Sequence, residues 1–267
     1  MNLFDVIEGS SPLVLAQPHG GTFVPDNLLA RLNERGRGLS DTDWHIAELY
    51  EDLAPNSTVV RSNVHRYVID ANRDPSDASL YPGQNTTSLC PTTDFDGKDI
   101  WQRAQQASED EIAQRREDYH LPYHAAVLEQ IERVKDKCGT VVLYDCHSIR
   151  SEIPFLFDGQ LPVFNIGTNG GVTCHRDIET ATFDACISAA PDQTVLNGRF
   201  KGGWTTRRYG DPENGVHAVQ METAQRAYMD ETPPWTYRPQ LAQQIRPVFA
   251  NIFTKLDQLA RSGSLAN

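Results

Sequence analysis

The run Thr140-Val-Val-Leu-Tyr-Asp145 most constrains what this chain can fold into. It is rich in β-branched and aromatic side chains and shows no polar alternation. Such a run reads as a strand buried on both faces, and so as the centre of an α/β sheet covered by helices. The strand runs straight into Cys146-His147-Ser148. A side chain that can ionise therefore stands directly after a buried strand. In open α/β sheets, sites assemble outside the carboxyl ends of strands. If the strand continues, period 2 puts Asp145 and His147 on one side, where Asp145 can orient the imidazole.

The rest of the chain fits around that strand. Short apolar runs alternate with longer amphipathic stretches. Residues 13–17, 58–61, 67–70, 162–166, 193–196 and 217–222 read as further strands. Residues 28–35, 176–189 and 237–260 read as helices. Ser40-Asp-Thr-Asp43 looks like a helix start, with Ile46, Leu49, Tyr50 and Leu53 at helical spacing behind it. A long helical stretch over 108–137 is expected to break or bend at Pro122, which lacks an N–H. Residues 72–100 are rich in Asn, Asp, Pro, Thr and Gly, and predict a long loop of the functional kind. No linker divides the chain, so one domain is expected over 1–267.

Charge and cysteine usage exclude partners. The 24 Lys and Arg against 36 Asp and Glu leave a net charge of −12. That disfavours nucleic acid, whose phosphates need a cationic surface, and an anionic membrane for the same reason. No apolar run approaches the length of a membrane span. Five cysteines at irregular spacing, with no C-x-x-C, read as reduced thiols of a cytoplasmic protein. The first ten residues lack the basic start of a signal peptide.

Three strand ends carry a potential metal ligand or base. His19 follows the first strand in Gln17-Pro-His-Gly-Gly21, His147 follows the central one, and Glu222 ends a late one in Gln220-Met-Glu-Thr223. Two histidines and a carboxylate meet the needs of a catalytic zinc site, which keeps one position open for water. His120 and His124 are four apart, but Pro122 between them spoils the helical geometry and H-E-x-x-H is absent; they read as helix-surface or loop-contact residues. His45, His65, His175 and His217 receive no role. Of the 24 basic residues 19 are Arg. Two placements stand out: Arg66 to Asp74, entering the long loop, and Lys201-Gly-Gly-Trp-Thr-Thr-Arg-Arg-Tyr-Gly210, read as a glycine-flanked loop. Arginine grips carboxylate through two parallel hydrogen bonds, so both suit a small anionic substrate.

Taken in order, Pro18-His-Gly-Gly21, Asp41-Thr-Asp-Trp44, Ile69-Asp-Ala-Asn-Arg-Asp74, the 201–210 loop and Gln220-Met-Glu222 resemble the N-formylglutamate amidohydrolases of histidine degradation. The resemblance runs from about residue 18 to the region of 230. It implies the fold of the related zinc carboxypeptidases and aspartoacylases: a three-layer α/β domain with a mixed, mostly parallel sheet, helices on both faces and a metal site at the strand ends. It also implies one zinc ion held by His19, His147 and a carboxylate, with Asp43 fitting and Asp41 as the fallback. Glu222 matches the general base, Arg66 the arginine that polarises the scissile carbonyl, and Asn72 with Arg73 the pair that grips a substrate carboxylate. Family members often carry His where this chain has Arg208, which favours Arg207 as the second anchor. The substrate expected is a small dianion, N-formyl-L-glutamate. Another N-acyl amino acid, such as N-succinylglutamate or N-acetylaspartate, or a non-catalytic anion-binding role on the same fold, are the competing readings.

Overall fold

The computed structural model describes residues 2–80 and 83–265. In chain order the strands are β1 (Phe4–Ile7), β2 (Leu13–Gln17), β3 (Thr58–Ser62), β4 (Val141–Ile149), β5 (Phe164–Gly167), β6 (Thr194–Leu196) and β7 (Val216–Ala224). The helices are α1 (Asp26–Leu29), α2 (Glu34–Arg37), α3 (Ile46–Tyr50), α4 (Glu109–Arg115), α5 (Leu121–Cys138), α6 (Arg176–Ala189), α7 (Trp204–Tyr209) and α8 (Pro239–Ser262). The strands form one sheet in the order β1-β3-β2-β4-β7-β5-β6. Its middle, β3-β2-β4-β7, is parallel; β1 on β3 and β5 on β7 are antiparallel. This is the mixed, mostly parallel α/β sheet expected.

The central strand β4 is buried at every position, as a strand covered on both faces must be. Its side chains alternate between two cores. Val142, Tyr144 and Cys146 join the cluster under α3, α6 and α8, with Phe249 and Phe253. Val141 and Leu143 join the cluster under α5, with Val127, Ile131 and Val134. Burying a side chain such as Phe249 is worth roughly 2–3 kcal/mol, so the two cores hold the sheet between its helical layers. Period 2 then sends Asp145 and His147 to the α5 side, beyond the end of that core. No helix among the described residues is long and apolar enough to cross a membrane. All five cysteines are free thiols. Burial pushes Cys90 up to about 11 and Cys174 and Cys186 to about 12, so these thiols stay protonated.

Several local expectations fail for identifiable reasons. β1 falls outside the strands expected: it is a short edge strand of four residues, partly exposed, paired antiparallel with β3. Residues 67–70 form no strand. The chain turns there, with the Val68 amide donating to the His65 carbonyl at 2.9 Å. The turn brings Arg66 and Asp70 within 3.3 Å, which an extended chain would hold far apart. Ser40 to Asp43 does not start a helix; α3 begins at Ile46, after His45 at φ 58°. The 201–210 stretch is not all loop, since α7 fills its middle. The helical stretch from Glu109 is interrupted near Pro122, as expected, by a π turn over Arg116–His120.

Candidate metal centre and active-site cleft

His19, Asp43 and His147 meet at the carboxyl ends of β2 and β4. His19 follows β2 across Pro18. His147 lies within β4, opposite Glu222 of β7 in the parallel register. Asp43 is turned inward: its amide donates to the His19 carbonyl at 3.1 Å, and its Oδ2 accepts from the Ser148 amide at 3.1 Å. Gly21 permits the turn after His19, because a Cβ there would sit 2.3 Å from the Asn63 backbone.

The donor atoms form a triangle. His19 Nδ1 and His147 Nδ1 are 3.2 Å apart, His147 Nδ1 and Asp43 Oδ2 are 3.3 Å apart, and His19 Nδ1 and Asp43 Oδ2 are 3.9 Å apart. A tetrahedral ion with zinc-like bonds of about 2.0–2.1 Å sets its donors about 3.3 Å apart. The opposite ring nitrogens have carboxylates behind them. His19 Nε2 lies 2.6 Å from Asp70 Oδ1, and His147 Nε2 lies 3.0 Å from Asp145 Oδ1. For His19, the Asp70 carboxylate holds the ring proton on Nε2 and aims the Nδ1 lone pair at the shared point. Asp43 Oδ1 is buried with no hydrogen-bond partner among the described residues. The three donors therefore fit a divalent metal ion.

Electrostatics agree with the geometry. Burial and Arg66 push His19 down to about 4, so its ring is neutral and free to offer a lone pair. Burial also disfavours charge on His147, but Asp145 and Asp43 outweigh it and push the group well up. Asp70 stays far below the carboxylate range: burial would raise it, and His19 and Arg66 overcome that. The carboxylates that favour an imidazolium here would favour a bound cation in its place.

A cleft opens from this centre, with about 610 Å³ of empty space counting its mouth. His19, Asp43, Arg66, Asn72, Arg73, His147 and Glu222, all singled out in the sequence, line it. Burial pushes Glu222 above the usual carboxylate range, although His147 opposes the shift. Arg66 is buried beside His19, with Nη2 2.7 Å from Nδ1, and lies over the Phe95 ring at 4.8 Å. Asn72 places its amide nitrogen 3.0 Å from His147 Nε2, and its oxygen accepts from the Thr205 amide of α7 at 2.8 Å. A Cβ at Gly203 would sit 2.2 Å from that amide nitrogen, so the contact requires glycine there. Arg73 donates to the Thr87 carbonyl and hydroxyl at 2.9 and 2.8 Å.

Other expectations are relocated. Asp41 is not at the centre; it accepts from the Tyr67 hydroxyl at 2.8 Å and the Phe95 amide at 2.9 Å. Arg207 is not among the described residues that line the cleft; its Nε donates to the Gly202 carbonyl at 2.8 Å. Arg208 likewise lies outside the lining. His120 and His124 are loop-contact residues, as one of their two readings had it, and both are buried rather than on a helix surface. Their Nε2 atoms lie 3.0 Å from the Arg73 carbonyl and 2.7 Å from the Ala71 carbonyl, on either side of Asn72. Sequence reasoning assigned no role to two residues found at the site. Asp70 supports His19 only because the chain turns at 66–68. Arg199 reaches the cleft from a segment with no motif of its own.

Comparison with known proteins covers nearly the whole chain. The family model described as N-formylglutamate amidohydrolase matches residues 11–229. A protein of Pseudomonas aeruginosa named N-formylglutamate deformylase is 42% identical over 251 residues, 93% of each chain. Its namesake from Pseudomonas putida is 42% identical over 252 residues, also 93% of each. In three dimensions the chain is similar to the crystal structure of N-formylglutamate amidohydrolase from Ralstonia eutropha. The TM-score is 0.81 at 22% identity, covering 98% of this chain and 100% of that one. A gene product from Agrobacterium tumefaciens gives 0.70 at 18% identity, with 97% and 96% covered. These two structures bear on the fold alone.

Proposed function

The chain belongs to the N-formylglutamate amidohydrolase family, and on that premise we propose that it hydrolyses N-formyl-L-glutamate to L-glutamate and formate as a zinc-dependent enzyme. The setting is histidine degradation in the cytoplasm, and one domain over 1–267 does the work. The observation that carries the reading is the triangle of His19, Asp43 and His147 with Glu222 on the adjoining strand.

His19 Nδ1, His147 Nδ1 and Asp43 Oδ2 would hold the zinc. When bound, zinc supplies a Lewis acid for the carbonyl and brings the pKa of water toward neutrality. Glu222 takes the proton released as water attacks the formamide carbon. Arg66 stands beside the developing oxyanion, where a well-placed donor is typically worth about 3–4 kcal/mol. Glu222 then delivers its proton to the leaving nitrogen, as general acid–base catalysis requires. Asn72 and Arg73 bind a substrate carboxylate. The charged residues lining the cleft, Arg66, Arg73 and Arg199 against Asp43 and Glu222, sum to 3 − 2 = +1 before any metal, on a chain of net −12. Behind the lining, buried Asp70 lies 3.3 Å from Arg66 and 3.8 Å from Arg73 and offsets part of that charge.

The test is formate release from N-formyl-L-glutamate, with and without chelator, alongside the N-acetyl and N-succinyl analogues. Chelator-sensitive release from the formyl compound is expected. Full activity in metal-free protein would remove the metal from the mechanism, and a preference for the acetyl or succinyl compound would change the substrate.

A further inference from the structure

The mechanism above leaves Gln220 unused, although it lines the cleft together with Glu222. The two stand two positions apart on β7, so they share one face of the strand. Met221 between them turns to the opposite core. The Gln220 side chain is buried and spans two partners. Its Oε1 accepts from the Gly203 amide at 2.6 Å, and its Nε2 lies 3.3 Å from Glu222 Oε2. The Gly203 N–H can only donate, so it demands the oxygen of the carboxamide. That choice turns the NH₂ group toward the carboxylate, which can only accept when ionised. Both contacts therefore agree on one orientation of the amide.

The backbone at Glu222 is already held. It pairs with β4 on one side and β5 on the other, and Asn165 Nδ2 donates to its carbonyl at 3.0 Å. The freedom that remains lies in the side chain, which has three rotatable bonds. Among the described residues, Gln220 supplies the hydrogen bond to that carboxylate. Gly203, which anchors Gln220, also packs against Asn72 at the start of α7.

We propose that Gln220 is a positioning residue that acts through Glu222: it holds Oε2 and so keeps the other carboxylate oxygen turned to the attacking water. This rests on the reading of Glu222 as general base and deepens it. A base fixed before the substrate arrives does not have to be ordered during the reaction, and that ordering is part of the barrier.

The experiment is a double-mutant cycle on formate release from N-formyl-L-glutamate. Wild type, Gln220→Met, Glu222→Gln and the double variant are measured for kcat and KM, with zinc content recorded for each. Methionine keeps the length of the side chain and removes the donor. Gln220→Met should lower kcat about tenfold, the weight of one hydrogen bond to a charged group, with zinc content unchanged and KM moved less than kcat. In the Glu222→Gln background the same substitution should cost no more than about twofold, because the carboxylate it acts through is gone. If Gln220→Met does not fold, Gln220→Glu takes its place in the cycle. It keeps an acceptor for the Gly203 amide and lacks the donor, and the same non-additivity is expected. Equal losses in both backgrounds, no loss in the wild-type background, or a loss that follows zinc content overturn the assignment and leave the deformylase reading intact. A wild type that releases no formate, or a Glu222→Gln variant near wild-type turnover, overturns both.

Discussion

The two ends of the cleft are built differently. The metal end belongs to the sheet: His147 and Glu222 are register partners on β4 and β7, and His19 follows β2, which pairs with β4. All three side chains are buried. The arginine end belongs to connections. Arg73 and Arg199 are partly exposed, and backbone carbonyls of neighbouring loops aim them. A residue on a central strand cannot shift without breaking ladder hydrogen bonds, whereas a loop changes its residues at little cost to the core. The contrast separates two tasks. On the proposed function, the sheet end would carry the chemistry and the connections would choose the molecule on which it acts.

The sharpest way to break that division is at Glu222. Glu222→Gln should lower kcat by about 10²–10⁴-fold, the usual weight of a general base, with metal content unchanged. A variant near wild-type turnover would falsify the assignment of the base to the sheet end. Asp70 crosses the division, because it comes from a loop turn yet holds His19. Asp70→Asn should weaken metal affinity by about 10–100-fold, measured by competition with a chelator. Unchanged affinity would show that β2 alone fixes His19.

The loop end should respond to acid through His124, which holds the Ala71 carbonyl next to Asn72. Burial pushes this imidazole down to about 3. Below about pH 6.5 the unfolded chain therefore binds a proton that the folded chain refuses. Stability from this group is complete above that pH and is lost as pH falls toward 3. Between pH 7 and pH 5 the loss is about 2 kcal/mol. Denaturant titrations of His124→Gln should show that much less acid sensitivity; an identical slope would mean that the burial does not persist in solution. Ser108 caps α4, accepting from the Glu111 amide at 3.3 Å, remote from both ends. Ser108→Ala should lower unfolding free energy by about 1 kcal/mol and leave kcat and metal content alone. A change in either would show that the ends are coupled through α4 and α5.

Much of the metal end was legible from residues. Val141 to Tyr144 could only be a buried strand, and the strict period of a strand put Asp145 behind His147 before any coordinates. Glu222 followed from the same logic. The arginine end was legible only in part, through Asn72 and Arg73. Arg207 had the better motif and Arg199 had none, since reaching the cleft depends on how the 85–87 and 156 segments fold back. Asp70 is similar: it was visible in Ile69-Asp-Ala-Asn-Arg73, but reading 67–70 as a strand hid the turn that joins it to Arg66 and His19.

By itself the sequence determined the fold class, the central strand and the motifs of an amidohydrolase family. Those depend on local periodicity, composition and order along the chain, which need no long-range information. Only the tertiary structure decided that Asp43 rather than Asp41 faces the histidines, that His120 and His124 are buried supports, and that Arg199 lines the cleft. Each depends on a contact between residues tens of positions apart, set by packing and loop closure rather than by any local preference.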